Sequence, residues 1–461
     1  MNAMSVILAM LPEHALLAGL CTLILIEVAG GKGRTGLAVA VAAVAAAAAA
    51  ALALWFGGYA AAPFAGHFSI TPQAAIAKAV ILALALPVLL ISRDDFRDTR
   101  FPLLLLSSLY GACLLVSSDS FLTLFLGLEL MSLPVYVLVL LALQRDESAE
   151  AGLKYLILGG AATATFLMGV SLLFGWSGGL ALAAFPEALA SPALMPRAAV
   201  ALILCAFFLK AAVFPFHTWA PDAYEGASVP VTAYMATIIK AAVVLAVVRL
   251  FGPAEVTPQL AGLVALLPLV SIVWGNVAAI RQGSFRRMIA YSSIAHAGYL
   301  FFALLGSAGG RFQAVAFYVL AYGVMNLLAF SALPTGGDDA ARDRIDNLKG
   351  LYRRKPFAAI VIALAMLSLA GIPPLPGFVA KFLVFRNVMA AGYTWYAVLG
   401  LVGSYLGIYF YLRIIQYMFM SPQGSGVESE RPRRLALGAT VLCLVPVTLL
   451  VLFPGWVLGK F

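Results

Sequence analysis

Five ionisable residues lie inside apolar stretches rather than at their edges: Glu129, Lys210, Lys240, His296 and Lys381. Glu129 sits in Phe-Leu-Gly-Leu-Glu-Leu-Met-Ser-Leu-Pro134, and Lys210 ends Leu-Cys-Ala-Phe-Phe-Leu-Lys. Lys240 lies in Met-Ala-Thr-Ile-Ile-Lys-Ala-Ala-Val-Val and His296 in Ser-Ser-Ile-Ala-His-Ala-Gly-Tyr299. A charge at the centre of a membrane-spanning helix costs about 2.5–3.5 kcal/mol on the insertion scale. Three central lysines and a glutamate therefore cost on the order of 10 kcal/mol unless paired or hydrated, comparable to the stability of a whole domain. Such residues point to a proton path, because the charge on a lysine responds strongly to burial and to nearby carboxylates. With Glu129 close, Lys210 holds its proton; with Glu129 withdrawn, it releases it to Lys240 or His296, histidine being titratable near neutrality without help. The competing reading is a purely structural ion-pair network, or for His296 a structural hydrogen bond. Lys154, near the start of its apolar stretch, reads as either a path residue or a side chain snorkelling to the interface, and Lys78 and Arg413 read as snorkelling. His217, beside a helix break and among aromatic residues, reads as a gate or a cap.

The elements that must hold these residues are transmembrane helices. Of 461 residues 63% are hydrophobic and only 11% charged, with a mean hydropathy of +1.01, whereas a soluble domain carries about 25% charged residues. In hydrocarbon each apolar run must be helical, since every backbone group needs an internal partner. Runs fall near 5–27, 37–56, 73–92, 101–117, 121–143, 149–174, 197–220, 228–251, 259–280, 286–306, 311–333, 356–386, 394–420 and 433–456. The expected fold class is therefore an all-α integral membrane protein of about fourteen spans. The first run lacks a basic leader and reads as a span rather than a signal peptide. The alanine tract Ala42–Ala51 fits a small-residue packing face.

The net charge of +9 does not indicate nucleic acid, because basic residues collect in short loops: Arg93–Arg100, Arg281–Arg287, Arg342–Lys355 and Arg431–Arg434. All follow odd-numbered spans or precede even-numbered ones, so both termini are expected away from the cytoplasm of a bacterial inner membrane. Cys21, Cys113, Cys205 and Cys443 are far apart, with no C-x-x-C pair, giving no support for an iron–sulfur, zinc or c-type haem site. Gly31-Lys-Gly-Arg-Thr-Gly36 fits G-x-G-x-x-G, but follows a membrane span instead of the strand a dinucleotide site requires.

Two spans are broken, at Lys210-Ala-Ala-Val-Phe-Pro-Phe-His217 and Ser368-Leu-Ala-Gly-Ile-Pro-Pro-Leu-Pro-Gly-Phe-Val-Ala-Lys381. Each proline removes the amide that would bind the carbonyl four residues earlier, so the carbonyls of Ala211, Leu369 and Ile372 should be free. Broken helices at matching places in two halves point to an inverted repeat with a transport path between them. The expected organisation is an N-terminal three-helix segment (1–100), a first five-helix repeat (101–251), a second (252–420) and a C-terminal helix (421–461).

The segment Phe214-Pro-Phe-His-Thr-Trp-Ala-Pro-Asp-Ala-Tyr-Glu-Gly-Ala-Ser-Val-Pro-Val-Thr-Ala233 resembles the antiporter-like, proton-translocating membrane subunits of respiratory complex I, a family shared with multi-subunit cation/proton antiporters. Glu150-Ala-Gly-Leu-Lys-Tyr155, Arg287-Met-Ile-Ala-Tyr-Ser-Ser-Ile-Ala-His-Ala-Gly-Tyr299 and Leu367–Phe382 agree with it. The Pro-Asp-Ala-Tyr-Glu-Gly wording, Lys240 and a lysine at 381 resemble its N-type branch most. Ser228-Val229 and Arg286 depart from its usual residues without removing a titratable group. The resemblance implies that Glu129 and Lys210 are a coupled pair, Lys154 its modulator, Lys240 the central connecting lysine, Lys381 the terminal one, and His217 and His296 polar members of a water-filled axis. It also implies no cofactor in this chain, with NADH, FMN, iron–sulfur clusters and quinone in partner subunits. The expected partners are other membrane-arm subunits, including antiporter-like relatives, and lipid. A gradient-driven cation/proton antiporter subunit is the alternative.

Overall fold

The structure, a computed structural model, describes residues 3–30, 33–142, 146–334, 344–422 and 434–461. Gly31 and Lys32 of the glycine-rich stretch, and Arg342 and Arg431–Arg433 of two basic segments, lie outside the described residues. The helices are α1 (Ala3–Ala9), α2 (Leu11–Val28), α3 (Gly33–Phe56), α4 (Pro72–Ser92), α5 (Arg100–Val116), α6 (Phe121–Leu140), α7 (Asp146–Ser177), α8 (Ala184–Ala190), α9 (Leu194–Ala211), α10 (Trp219–Gly226) and α11 (Val229–Tyr234). A π-helical turn, Met235–Ile239, joins α11 to α12 (Lys240–Phe251). There follow α13 (Pro258–Ala279), α14 (Phe285–Phe302), α15 (Ala308–Ser331), α16 (Leu351–Arg354), α17 (Pro356–Ala370), α18 (Pro376–Ala390), α19 (Thr394–Met420), α20 (Arg434–Leu452) and α21 (Pro454–Leu458). Among the described residues, 12 helical segments are long and apolar enough to cross a membrane, and Arg100–Val116 and Pro356–Ala370 are shorter apolar helices. Each expected run contains one of these. Between α3 and α4 the chain also forms a small antiparallel hairpin, β1 (Ala61–Phe64) and β2 (Phe68–Ile70), which the apolar periodicity did not reveal.

Local chemistry sets the ends. Thr71 caps α4 through the Ala74 amide at 3.1 Å, and Ser120 opens α6 in a capping box with Thr123, satisfying donors the first turn leaves free. Within the bundle, Val229–Phe251 is buried throughout except at Arg249, and α4, α14 and α15 are nearly as enclosed. The other long helices expose apolar faces such as Leu122, Leu126 and Leu133 of α6, as lipid-facing surfaces do. The alanine tract behaves as its composition indicates: Ala43, Ala47 and Ala51 recur on the buried face of α3. Gly33–Gly36, the described part of the glycine-rich stretch, opens α3 after another helix, so no strand precedes it.

The two breaks share one construction. α9 ends at Ala212 with φ 61° and α17 at Gly371 with φ 88°. In each, an amide reaches back five residues, Val213 to Phe208 at 2.8 Å and Ile372 to Leu367 at 3.1 Å, as in a left-handed helix stop. The expected set of free carbonyls needs correcting here: the Ile372 carbonyl accepts the Leu375 amide at 3.1 Å. The helix stops before the prolines, so the stop itself, rather than each proline, decides which carbonyls lack amides.

α5 and α6 approach so closely that a Cβ on Gly111 would lie 2.3 Å from the Met131 backbone nitrogen, whereas Gly160 faces open space. Gly111→Ala should cost about 1–3 kcal/mol by overpacking, and Gly160→Ala should leave stability within about 1 kcal/mol of the parent or above it. Thermal unfolding of the purified variants compares them directly; equal stability would refute the packing argument.

Candidate functional site: a row of buried lysines

Glu129 on α6 and Lys210 on α9 come together, Nζ to Oε1 at 3.2 Å, with side chains 21% and 7% exposed. Thr163 of α7 donates to the same carboxylate oxygen at 2.5 Å. The Lys210 ammonium also contacts Ser132 Oγ and the Tyr136 hydroxyl, each at 3.3 Å. Tyr136 continues edge-on to Tyr155, which stacks on Trp219 at 4.3 Å. The Trp219 indole donates to the Leu209 carbonyl at 2.9 Å, which also accepts the Ala212 amide at the end of α9.

Lys240 follows the π turn, a wider helical turn often found at functional positions. Its ammonium reaches α14, donating to the Ser293 carbonyl at 2.6 Å and to Ser293 Oγ at 2.5 Å. No carboxylate pairs with it among the described residues. Three residues further along α14, His296 meets the Tyr318 hydroxyl at 2.7 Å through Nδ1 and that of Tyr411 at 3.2 Å through Nε2. Tyr411 in turn meets Ser292 Oγ at 2.5 Å. One turn beyond, Tyr299 presents its ring 5.1 Å from the Lys381 ammonium. Lys381, in the first turns of α18, donates to the Ala370 carbonyl at 3.0 Å and to Ser404 Oγ at 3.1 Å. The second break thus does offer a carbonyl to the lysine, that of the last α17 residue. α14 is the rail of the site: Ser292, Ser293, His296 and Tyr299 share one face at helical spacing.

Lys154 and His217 stand outside this row. Lys154 is 43% exposed and pairs with Glu150 at 2.6 Å and Asp222 at 2.7 Å. Asp222 also holds Arg287 at 3.0 Å, and Arg287 holds Glu225 at 2.8 Å, so this ionic cluster ties α7, α10 and α14. His217 accepts from the Trp274 indole at 2.9 Å and stacks on Phe214, with no hydrogen bond to Lys210, Lys240, His296 or Lys381. Arg413 reaches the Ile280 and Gln282 carbonyls beyond α13. Lys78 does not snorkel: it is 0% exposed and lies 2.6 Å from Glu13, itself 0% exposed. Burial between helices, invisible in one helix's hydropathy, overturns the expectation from its place near a span end.

Residues 118–407 match the model of the family described as NADH:quinone oxidoreductase/Mrp antiporter, TM. The chain belongs to this family. A curated relative, NADH-quinone oxidoreductase subunit N of Pelobacter propionicus, is 40% identical over 444 residues, which are 96% of this chain and 93% of that protein. Among solved structures, a chain of respiratory complex I from Thermus thermophilus aligns with TM-score 0.85 and 33% identity, over 97% of this chain and 98% of that one. A chain of the Mrp complex from Dietzia sp. shares the fold, with TM-score 0.82 and 22% identity over 98% of this chain and 96% of that one. The membrane antiporter-like fold is thus common to both branches of the family.

The hydroxyls that complete the site, those of Tyr318, Tyr411, Ser404 and Thr163, were missed in the sequence. A polar hydroxyl in an apolar run was the available signal, but tyrosine is too frequent in such runs to stand out alone.

For Asp222, which lies on α10 between the long spans, burial alone would raise the carboxyl. The hydrogen bonds and attraction of Lys154 and Arg287 outweigh it and hold the carboxyl below the usual range. Its stabilising effect is fully present above about pH 4, the unfolded value, and is lost as pH falls through the lower folded one. Being partly solvated, each pair contributes at most about 1 kcal/mol. Infrared titration against Asp222→Asn should therefore show no Asp222 protonation above about pH 5; a band titrating near neutrality would refute the cluster.

Proposed function

We propose that this chain is an N-type, proton-translocating subunit of the membrane arm of a complex that couples NADH:quinone electron transfer to proton pumping. The observation that carries this reading is the row of buried lysines. Lys240 and Lys381 are enclosed with only neutral oxygen partners, and Lys210 adds one carboxylate. A permanent charge in such places costs several kcal/mol, which a reversible proton carrier needs and a scaffold does not. The family and the relatives' names support the same assignment.

In this reading, Lys210 is charged while Glu129 stands beside it, and moving Glu129 away lets the ammonium release its proton. Thr163, Ser132 and Tyr136 keep the pair oriented while water enters and leaves. Lys240 receives the proton and passes it, through the hydroxyls around Ser293 and His296, towards Lys381. Lys154, with Asp222 and Arg287, sets the electrostatic background of the pair. His217 guards the first break. The matching helix stops at Ala212 and Gly371 support two inverted five-helix repeats, 101–251 and 252–420, between an N-terminal segment and a final helix, about fourteen spans in all. Both termini face away from the cytoplasm of a bacterial inner membrane, as the basic loops indicate. This chain is a non-redox subunit: FMN, iron–sulfur clusters and quinone work in partner subunits and supply the free energy.

The second reading, a cation/proton antiporter subunit without redox coupling, is favoured by the family's other branch. Sodium-driven proton movement in vesicles without NADH would establish it in place of the first.

The test is Lys240→Met in the whole complex. Removing a positioned proton carrier typically costs on the order of a hundredfold or more, so NADH-driven pumping should lose this chain's entire share in a complex that still assembles. An assembled complex pumping at the full parental ratio of protons to NADH would overturn the assignment.

A further inference from the structure

The proton row leaves one buried charged pair unused. Glu13 lies in the first turn of α2 and Lys78 on α4, 2.6 Å apart, each fully enclosed. α2 is otherwise shallow, with Leu17, Ile24, Leu25 and Val28 exposed, yet Glu13 shares the inward face with Leu16, Gly19 and Leu23. The Lys78 ammonium sits 4.8 Å from the centroid of the Phe68 ring on β2. Tyr110 and Cys113 of α5 lie within electrostatic reach of Glu13.

Stability does not account for this pair. Two charges taken out of water are repaid by their attraction only when further hydrogen bonds satisfy the remaining lone pairs and protons. Here neither Glu13 oxygen nor the Lys78 nitrogen has a well-aligned hydrogen-bond partner among the described residues. Lys210, Lys240 and Lys381 each have at least two oxygen partners. Two apolar side chains would fill the same space at no cost in stability.

Proton chemistry does account for it. If one N–H bond of Lys78 breaks and an O–H bond forms on Glu13, the pair becomes a neutral amine and a neutral acid. Both charges vanish together, so the desolvation that burial imposes is relieved, and the two states lie closer in energy than they do in water. The neutral pair can accept a proton at nitrogen or give one up at oxygen. Its position suits exchange with water. Lys78 is six residues into α4, about 9 Å from its start. A cavity of about 420 Å³ opens at that end, lined by Gln73, Ala74 and Ala77 of α4 together with Arg249 and Arg311. α4 also packs on the π turn and on α12, which begins with Lys240.

We propose that Glu13 and Lys78 form a further proton-holding pair of this subunit, on the helix that joins this cavity to the Lys240 span. The inference rests on the proton-translocating reading above. Its test uses the assembled complex in vesicles, reading protons moved per NADH oxidised alongside assembly on native gels. A single neutralisation leaves a lone buried charge and can fail to fold, so the decisive variant is the double Glu13→Leu/Lys78→Met. That variant should assemble as the parent does and lose proton translocation to a degree comparable with Lys240→Met, while the exchanged pair Glu13→Lys/Lys78→Glu should regain most of it. A double variant that assembles and pumps at the parental ratio, or one that does not assemble, assigns the pair to structure and overturns the proposal. Lys240→Met in the same vesicles separates the failures. Loss there with parental pumping in the double variant sinks only this inference, whereas parental pumping in Lys240→Met sinks the function it rests on.

Discussion

An ammonium group inside a helical bundle must find oxygen atoms, and nearly everything distinctive in this fold follows from that need. Most helix carbonyls are already used by the helix's own amides. For Lys210, Lys240 and Lys381 the oxygens are serine and tyrosine hydroxyls, the Glu129 carboxylate, the Ser293 carbonyl within α14 and the Ala370 carbonyl where α17 stops. Lys240 draws both of its contacts from Ser293, and Lys381 draws one from the end of α17. α14 can serve several of these groups because its polar residues recur on one face while the rest of the helix packs.

The helix stops are therefore part of the site rather than defects in the scaffold. The last carbonyls of a helix carry partial negative charge and have no amide partners, so they attract a donor at little cost. At the end of α17 the donor to such a carbonyl is the Lys381 ammonium, whereas at the end of α9 the Trp219 indole adds a second donor to the Leu209 carbonyl, which the Ala212 amide already uses. The same local construction thus holds a charge in one half of the molecule and a neutral aromatic anchor in the other. At the first break the lysine, Lys210, instead lies two residues before the stop, against Glu129. The two breaks share one backbone construction but carry different chemistry, because a lysine precedes the stop in one and follows it in the other.

Much of this was legible in the sequence, for a physical reason. Hydrocarbon tolerates few charges, so Glu129, Lys210, Lys240, His296 and Lys381 stood out against apolar runs, and the runs themselves gave the helices. Proline marked both breaks, and glycine the second. Apart from the Glu129–Lys210 pair, what the sequence did not reveal was decided by contacts between helices. Lys78 looked like an interfacial side chain because its distance along α4 is all that a sequence displays; its partner is on α2, more than sixty residues away. Lys154 gave no sign of how far it stands from the buried row, because Asp222 and Glu150 compete for it at the surface. The tyrosines around His296 come from α15 and α19, and no periodicity within one helix could have assembled them. The hairpin β1–β2 was hidden by its brevity.

The partners of the three lysines also bear on how the proposed path runs. Glu129 makes its pair with Lys210 electrically neutral when both are charged, so occupancy there disturbs its neighbours little. Lys240 and Lys381 have only neutral partners, so each proton they bind adds a full positive charge to the interior. His296 lies within electrostatic reach of both. Charging these stations together is therefore expensive, and a proton arriving at one favours departure from the next. On the proposed path, protons therefore pass the neutral-oxygen stations in succession, and the Glu129 carboxylate lets a charge wait on Lys210 without pushing the others.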